Sequence, residues 1–254
     1  MTRVTFVGAG PGSADLITLR GARALGRAAV VLHDALIDPA LREFAPQAEW
    51  IDVGKRGFCD STAQTRINAL LVAHAQRGGE VVRLKGGDPS VFGRLDEELE
   101  ALAAAGIPCE VVPGVTSAIA AAADLQRPLT RRGSGRSVAL STAMTRSGEL
   151  IAARSADTEV FYMAGRQLAA LKSRLLGAGW ADDTPVAVVS RAGWADRNTS
   201  EHTVETLPEA VVLHGGRPTV VIVGVGATAL PASARAGDIP SATPASAAGP
   251  AAAP

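Results

Sequence analysis

The chain of 254 residues is 47% hydrophobic but only 4% aromatic, so Ala, Val and Leu must fill one large core or two modest ones. Lys plus Arg and Asp plus Glu number 25 each, which argues against a general nucleic-acid or membrane-surface binder and makes any anion site a local one. The two cysteines, Cys59 and Cys109, have neither disulfide-framework nor metal-ligand spacing, and no apolar run approaches the roughly 20 residues of a membrane span. Without a signal peptide before the first strand, the expected setting is the cytoplasm, with no metal.

Val4-Thr5-Phe6-Val7 reads as a strand that ends in Gly8-Ala9-Gly10-Pro11-Gly12-Ser13. Helical spacing from Asp15 onward, with Ser13 as N-cap, predicts the first helix. As a dinucleotide fingerprint this loop is weak, because Ser13 stands where the third glycine belongs and Pro11 removes an amide donor. Ala29-Val30-Val31-Leu32 is a second buried strand that delivers His33 and Asp34 to its carboxyl end. A helix over 39–45 and a strand Trp50-Ile51-Asp52-Val53 follow, then Lys55 and Arg56, then an amphipathic helix from Ser61 to Arg77.

Val81-Val82-Arg83-Leu84-Lys85 feeds Gly86-Gly87-Asp88-Pro89, a buried strand entering a glycine-tight loop. Such a loop suits a small polar ligand and equally a sharp strand-to-helix turn that holds nothing. A helix over 96–105, a strand over 108–112, the turn Pro113-Gly114-Val115-Thr116-Ser117 and an alanine-rich helix complete a half that alternates strand and helix five times. That alternation calls for a largely parallel sheet covered on both faces.

Between Leu125 and Gly148 there is no acidic residue, yet Arg127, Arg131, Arg132, Arg136 and Arg146 all occur. Either a solvated linker or an anionic ligand explains the bias, since Arg forks bind carboxylates bidentately. A second half then runs through a strand over 137–141, a helix, a strand over 159–163, a helix over 167–176 and two apolar strands at 185–189 and 218–223. The alternation over 199–204 predicts an antiparallel edge and therefore a mixed sheet. The expected division is an N-terminal α/β domain over 1–124, an Arg-rich linker over 125–136, a C-terminal α/β domain over 137–230, and a disordered Ala/Pro-rich tail over 231–254.

VGAGPG at 7–12, LHDALI at 32–37, VGKR at 53–56 and RLKGGDPSVFGR at 83–94 occur in that order. With VVPGVTSA at 111–118, PLTRRG at 128–133, FYMAG at 161–165 and TPVAVV at 184–189, the chain resembles the tetrapyrrole methyltransferases over about residues 4–226. The resemblance implies a two-domain α/β homodimer with S-adenosylmethionine folded into the cleft between domains and S-adenosylhomocysteine as product. It further implies an anionic tetrapyrrole substrate, with methyl groups added to C2 and C7 of uroporphyrinogen III to give precorrin-2.

Matching positions put the cofactor against Pro11, Gly86, Gly87, Asp88, Val91, Thr116, Ser117, Met163 and Ala192. They put Arg94, Arg131, Arg132 and Met163 on the substrate side, with Asp34, Lys55 and Glu97 to orient the ring or move a proton. Each of these side chains also has an ordinary use: Asp34 as a helix cap, Lys55 as a surface charge, Met163 as a core thioether. The sequence departs from the family pattern at His33, Leu95-Asp96, Arg131 and Ala143-Met144, mostly on the substrate side. Two alternatives go with the leading reading: methylation of another tetrapyrrole intermediate, and a non-catalytic carrier or regulator that binds the cofactor.

Overall fold

In the computed structural model, the described residues are 3–54, 61–144 and 150–230. The expected tail over 231–254, Lys55, Arg56, Cys59 and Arg146 lie outside them. The first half builds a five-stranded sheet from β1 (Arg3–Gly8), β2 (Val30–His33), β3 (Glu49–Asp52), β4 (Glu80–Lys85) and β5 (Cys109–Val112). Its order is β3-β2-β4-β1-β5 and every pair is parallel.

Parallel pairing needs crossovers that cover both faces, and the alternate side chains of each strand divide accordingly. Val4, Phe6, Leu32 and Val81 pack with Leu71 of α2 (Ser61–Gln76) and Leu102 of α3 (Leu95–Ala104). Val7, Val31, Val82 and Leu84 pack on the other face with Leu25 of α1 (Leu19–Leu25) and with Leu41. Because β4, β1 and β5 are neighbours, the loops at their carboxyl ends meet, where α/β sheets place ligands.

The second half forms a mixed sheet from β6 (Val138–Thr142), β7 (Thr158–Tyr162), β8 (Pro185–Ser190), β9 (Asn198–Thr203) and β10 (Thr219–Gly224), in the order β6-β7-β10-β8-β9. Only β6 and β7 are parallel, and β9 is the expected antiparallel edge. One face packs on α5 (Leu168–Gly177) through Leu168, Leu171 and Leu175. The other packs on Ala118 and Ala121 of α4 (Ser117–Asp124), the helix that follows the last strand of the first sheet. The short α6 (Val211–His214) precedes β10.

Three local expectations are corrected. The helix predicted from Asp15 is a 3-10 turn over Ala14–Leu16, followed by α1, whose N-cap is Thr18 and not Ser13; the Thr18 hydroxyl accepts from Gly21 N at 3.1 Å. A carboxylate 24 residues away causes this, because Asp38 Oδ2 takes the Ala14 amide at 3.0 Å and satisfies the turn from outside. The helix over 39–45 is a 3-10 helix, Pro39–Phe44, capped by Asp38 Oδ1. No helix lies between β6 and β7 among the described residues; 150–157 is irregular and is held by Arg154 to Gly179 O and by Trp180 Nε1 to Ala153 O.

Candidate functional site

At the junction of the β1, β4 and β5 loops three backbones touch. A Cβ on Gly114 would lie 2.4 Å from Gly87 O and 2.8 Å from Gly8 Cα, and one on Gly8 would lie 2.6 Å from Gly114, so only glycines fit. Gly10 and Gly87 exchange amide bonds at 3.2 and 2.9 Å, and Gly87 has φ 72°. Asp88 locks the junction: Oδ1 accepts the Ser90 amide and Oδ2 the Gly114 amide, both at 2.8 Å. Each oxygen keeps a lone pair for a ligand donor.

Gly86 behaves differently. It is exposed, its φ is not positive, and a Cβ there would meet nothing nearer than Leu36 O at 3.8 Å; at Gly87 the nearest atom would be Val115 O at 3.9 Å. The protein thus leaves open space above two successive glycines, which is where a bound molecule could approach the backbone.

Residues of the second half lie against this part of the first. Tyr162, at the end of β7, hydrogen-bonds Thr116 Oγ1 at 2.8 Å and packs against Phe92 with ring centroids 5.0 Å apart. Burial pushes its phenol above the ordinary range. Met163 follows in a left-handed conformation (φ 58°) and is 45% exposed, so it is not the core thioether that its type suggested. Ala192 shares a cluster with Ala118, and Val91 packs against it. The Gly193 carbonyl accepts the Ser13 amide at 3.0 Å, and a Cβ on Gly193 would lie 2.1 Å from Pro11 O. The residues expected at the cofactor sit on loops of both halves and at the start of α4, and the two halves touch at Thr116–Tyr162, at Pro11–Gly193 and in the cluster of Ala192 with Ala118 and Val91.

A family model for tetrapyrrole (corrin/porphyrin) methylases matches residues 3–208. The chain belongs to the tetrapyrrole methylase family. This methylase is 43% identical over 227 residues to a uroporphyrinogen-III C-methyltransferase of Pseudomonas aeruginosa, covering 87% of its own chain and 93% of that protein. It is 44% identical to a siroheme synthase of Baumannia cicadellinicola, where it spans only about half of the relative's length (49%). The crystal structure of uroporphyrin-III C-methyl transferase from Thermus thermophilus complexed with S-adenyl homocysteine superposes with a TM-score of 0.77 at 37% identity, covering 87% of this chain and 97% of that one.

On the expected substrate side of the methylase, Arg94 has φ 53° and a bidentate pairing with Glu97, Nε to Oε1 at 2.5 Å and Nη2 to Oε2 at 2.6 Å, with both side chains 40% exposed. That hydrogen bonding holds the Arg94 pKa above its ordinary value. Asp34 is not a helix cap: Arg83 Nη2 donates to its Oδ1 at 2.6 Å, and the Gly86 amide lies 3.4 Å from its Oδ2. It therefore stands beside the open glycines.

The Arg-rich segment is not uniformly solvated. Arg127 is buried and donates to Ala227 O and Glu201, Arg131 reaches Thr228 O, and Arg132 and Arg136 are exposed. Of the basic candidates for an anion, Arg132 is exposed and Arg94 is half-exposed.

Sequence reasoning overlooked Arg83, Lys85, Glu98, Tyr162 and Phe92. A signal existed for the first three. Arg83 and Lys85 stand two apart in the buried part of a strand whose other members there are Val81, Val82 and Leu84, and Glu98 falls between Leu95 and Leu102 on the apolar stripe of α3.

Proposed function

We propose that this methylase transfers methyl groups from S-adenosylmethionine to C2 and C7 of uroporphyrinogen III, giving precorrin-2. The open space over Gly86 and Gly87 carries the reading, because two successive backbone units at the carboxyl end of β4 are left uncovered by protein side chains while the glycines packed around them, Gly8, Gly10 and Gly114, are shut in by backbone. The fit to the cofactor is chemical: the loop offers amides, carbonyls and the spare lone pairs of Asp88, and no cationic side chain that a phosphate would require. When bound, S-adenosylmethionine supplies an electrophilic methyl group on a sulfonium.

The residues of this chain then have limited tasks. Gly86, Gly87, Asp88, Thr116 and Ser117 hold the donor from the first half; Met163 and Ala192 close on it from the second, with Pro11 and Val91 at the rim. Arg94 and Arg132 meet carboxylates of the substrate, and Glu97 releases Arg94 as a substrate carboxylate takes its place. Asp34 faces the ring edge as the candidate group for orientation or for accepting the proton that the ring must lose after methylation. Most of the rate comes from alignment of carbon, methyl and sulfur. The chain acts as a homodimer, which light scattering at twice the chain mass checks.

Incubating the protein with S-adenosylmethionine and enzymatically generated uroporphyrinogen III is expected to add the mass of two methyl groups. No transfer despite tight S-adenosylhomocysteine binding would leave only a carrier or regulator. Transfer restricted to another tetrapyrrole would favour the second reading, to which the altered Leu95-Asp96 and Arg131 positions point.

A further inference from the structure

Beneath the glycine loop, on the face of the first sheet covered by α2 and α3, four charged groups are packed among apolar side chains. Arg83 and Lys85 share this face of β4 with Val81. Glu98 of α3 is 0% exposed and receives both: Arg83 Nε at 2.9 Å on Oε1 and Lys85 Nζ at 2.6 Å on Oε2, with Gln64 Nε2 at 3.4 Å. The Arg83 side chain is 2% exposed; Nη1 donates to Leu84 O at 3.1 Å and lies 3.4 Å from Leu32 O, while Nη2 holds Asp34 Oδ1 at 2.6 Å. Asp34 is the one member that reaches solvent, and it does so next to Gly86.

Stability does not explain such a cluster. Burying ions costs about as much as their attraction returns, and apolar residues of like volume commonly do as well or better. Burial lowers the Lys85 pKa, with the Arg83 charge adding to the effect; Arg83 is held above its ordinary value because Asp34 and Glu98 outweigh its burial. What the arrangement supplies is orientation: a planar guanidinium clamped at one end by Glu98 presents its other end in a fixed direction.

We propose that Glu98 and Arg83 are positioning residues, Glu98 fixing the Arg83 fork and the fork aiming the Asp34 carboxylate at the substrate side of the glycine loop. The inference rests on reading Asp34 as a group that faces the tetrapyrrole. The loop backbone itself is held by the sheet, through Ala9 N to Lys85 O at 2.8 Å and the Gly10–Gly87 pair, and meets the charged cluster only in the long 3.4 Å contact of the Gly86 amide with Asp34. Cofactor affinity and turnover therefore separate.

Glu98→Gln is expected to lower kcat about tenfold or more while changing the Kd for S-adenosylhomocysteine less than about threefold. On an Asp34→Ala background the same substitution is expected to change kcat less than about twofold, because no carboxylate is left to aim. Equal losses on both backgrounds, or none on either, overturn the proposal.

A crystal structure of Glu98→Gln is further expected to show the Asp34 carboxylate displaced by about 1 Å or more. An unmoved carboxylate overturns the proposal whether or not the wild-type chain methylates uroporphyrinogen III, whereas an inactive wild type overturns only the functional reading. If Glu98→Gln does not fold, Arg83→Lys carries the same readouts, since it keeps a charge beside Glu98 but replaces the fork with a single ammonium.

Discussion

Gly86 and Gly114 lie on the same loop junction and are expected to respond oppositely to a single methyl group. At Gly114 the new Cβ collides with the Gly87 carbonyl and the Gly8 backbone, neither of which has a flexible end to swing away. Gly114→Ala should cost about 3 kcal/mol of stability by chemical denaturation. At Gly86 the Cβ enters open space, so Gly86→Ala should hold stability within about 0.5 kcal/mol yet weaken S-adenosylhomocysteine binding about tenfold or more by calorimetry. Unchanged affinity in the second variant would show that no ligand uses the space.

Arg94 is the other residue that decides the reading. Arg94→Ala should retain cofactor binding and lose most turnover, because the side chain engages Glu97 and solvent and contributes nothing to the glycine junction. Near-normal turnover would remove it from the substrate side.

Among elements, α6 is tied to the second sheet by one ring. The His214 side chain is buried, with Nδ1 2.9 Å from Ser190 Oγ on β8 and Nε2 2.8 Å from Ser200 Oγ on β9, which in turn meets His202. Burial, then the charges of His202 and Arg217, push its pKa down to about 4, against about 6.5 in the unfolded chain. Between those values the unfolded state binds the extra proton, so this contribution is whole above pH 6.5 and is lost as pH falls toward 4, by as much as about 3 kcal/mol. Denaturation midpoints at pH 7.5 and 4.5 should differ by more in the wild type than in His214→Gln; equal differences would refute the assignment.

The elements also show what the sequence could disclose. Runs such as Val4-Thr5-Phe6-Val7 and Thr219-Val220-Val221-Ile222-Val223 are strands because their branched side chains fill two-sided cores, and period 2 marks β9 as an edge. The turn over Ala14–Leu16 was hidden, because its amide is satisfied by Asp38, and no local pattern reports a carboxylate 24 positions on. Of the site, the glycine loop and its ordered companions were legible as motifs. The Arg83–Glu98–Asp34 chain was not, because it joins three elements whose mutual placement is fixed only by the sheet order.

For the whole molecule, the two halves are bound by several side-chain contacts to backbone and charge. Asp124, ending α4, accepts the Gly193 amide at 2.9 Å and pairs with Arg197 at 3.0 Å. Buried Arg127 donates to Ala227 O at 2.6 Å, and Thr158 Oγ1 donates to Leu129 O at 2.9 Å. Asp124→Ala should cost about 2 kcal/mol, leaving the Gly193 amide and the Arg197 guanidinium without their carboxylate. Because the halves share these contacts, Trp50 fluorescence from the first sheet and Trp180 fluorescence from the second should report one common midpoint in single-tryptophan variants. Two separated midpoints in the otherwise unaltered chain would show that the halves unfold independently.

The meeting of Gly12 with Gly193 carries a different consequence. A Cβ on Gly12 would lie 2.3 Å from the Gly193 backbone, and one on Gly193 would lie 2.1 Å from Pro11 O, so the closest approach of the two halves here is main chain to main chain. Trimming a neighbouring side chain cannot relieve a clash with backbone, and every alternative residue adds at least one carbon to a space that holds none. In a saturation scan these two positions should reject all replacements, including alanine, while the alanine-rich helices nearby accept many. The contact is a mutational dead end, fixed in spacing while the loops around it remain free to diverge.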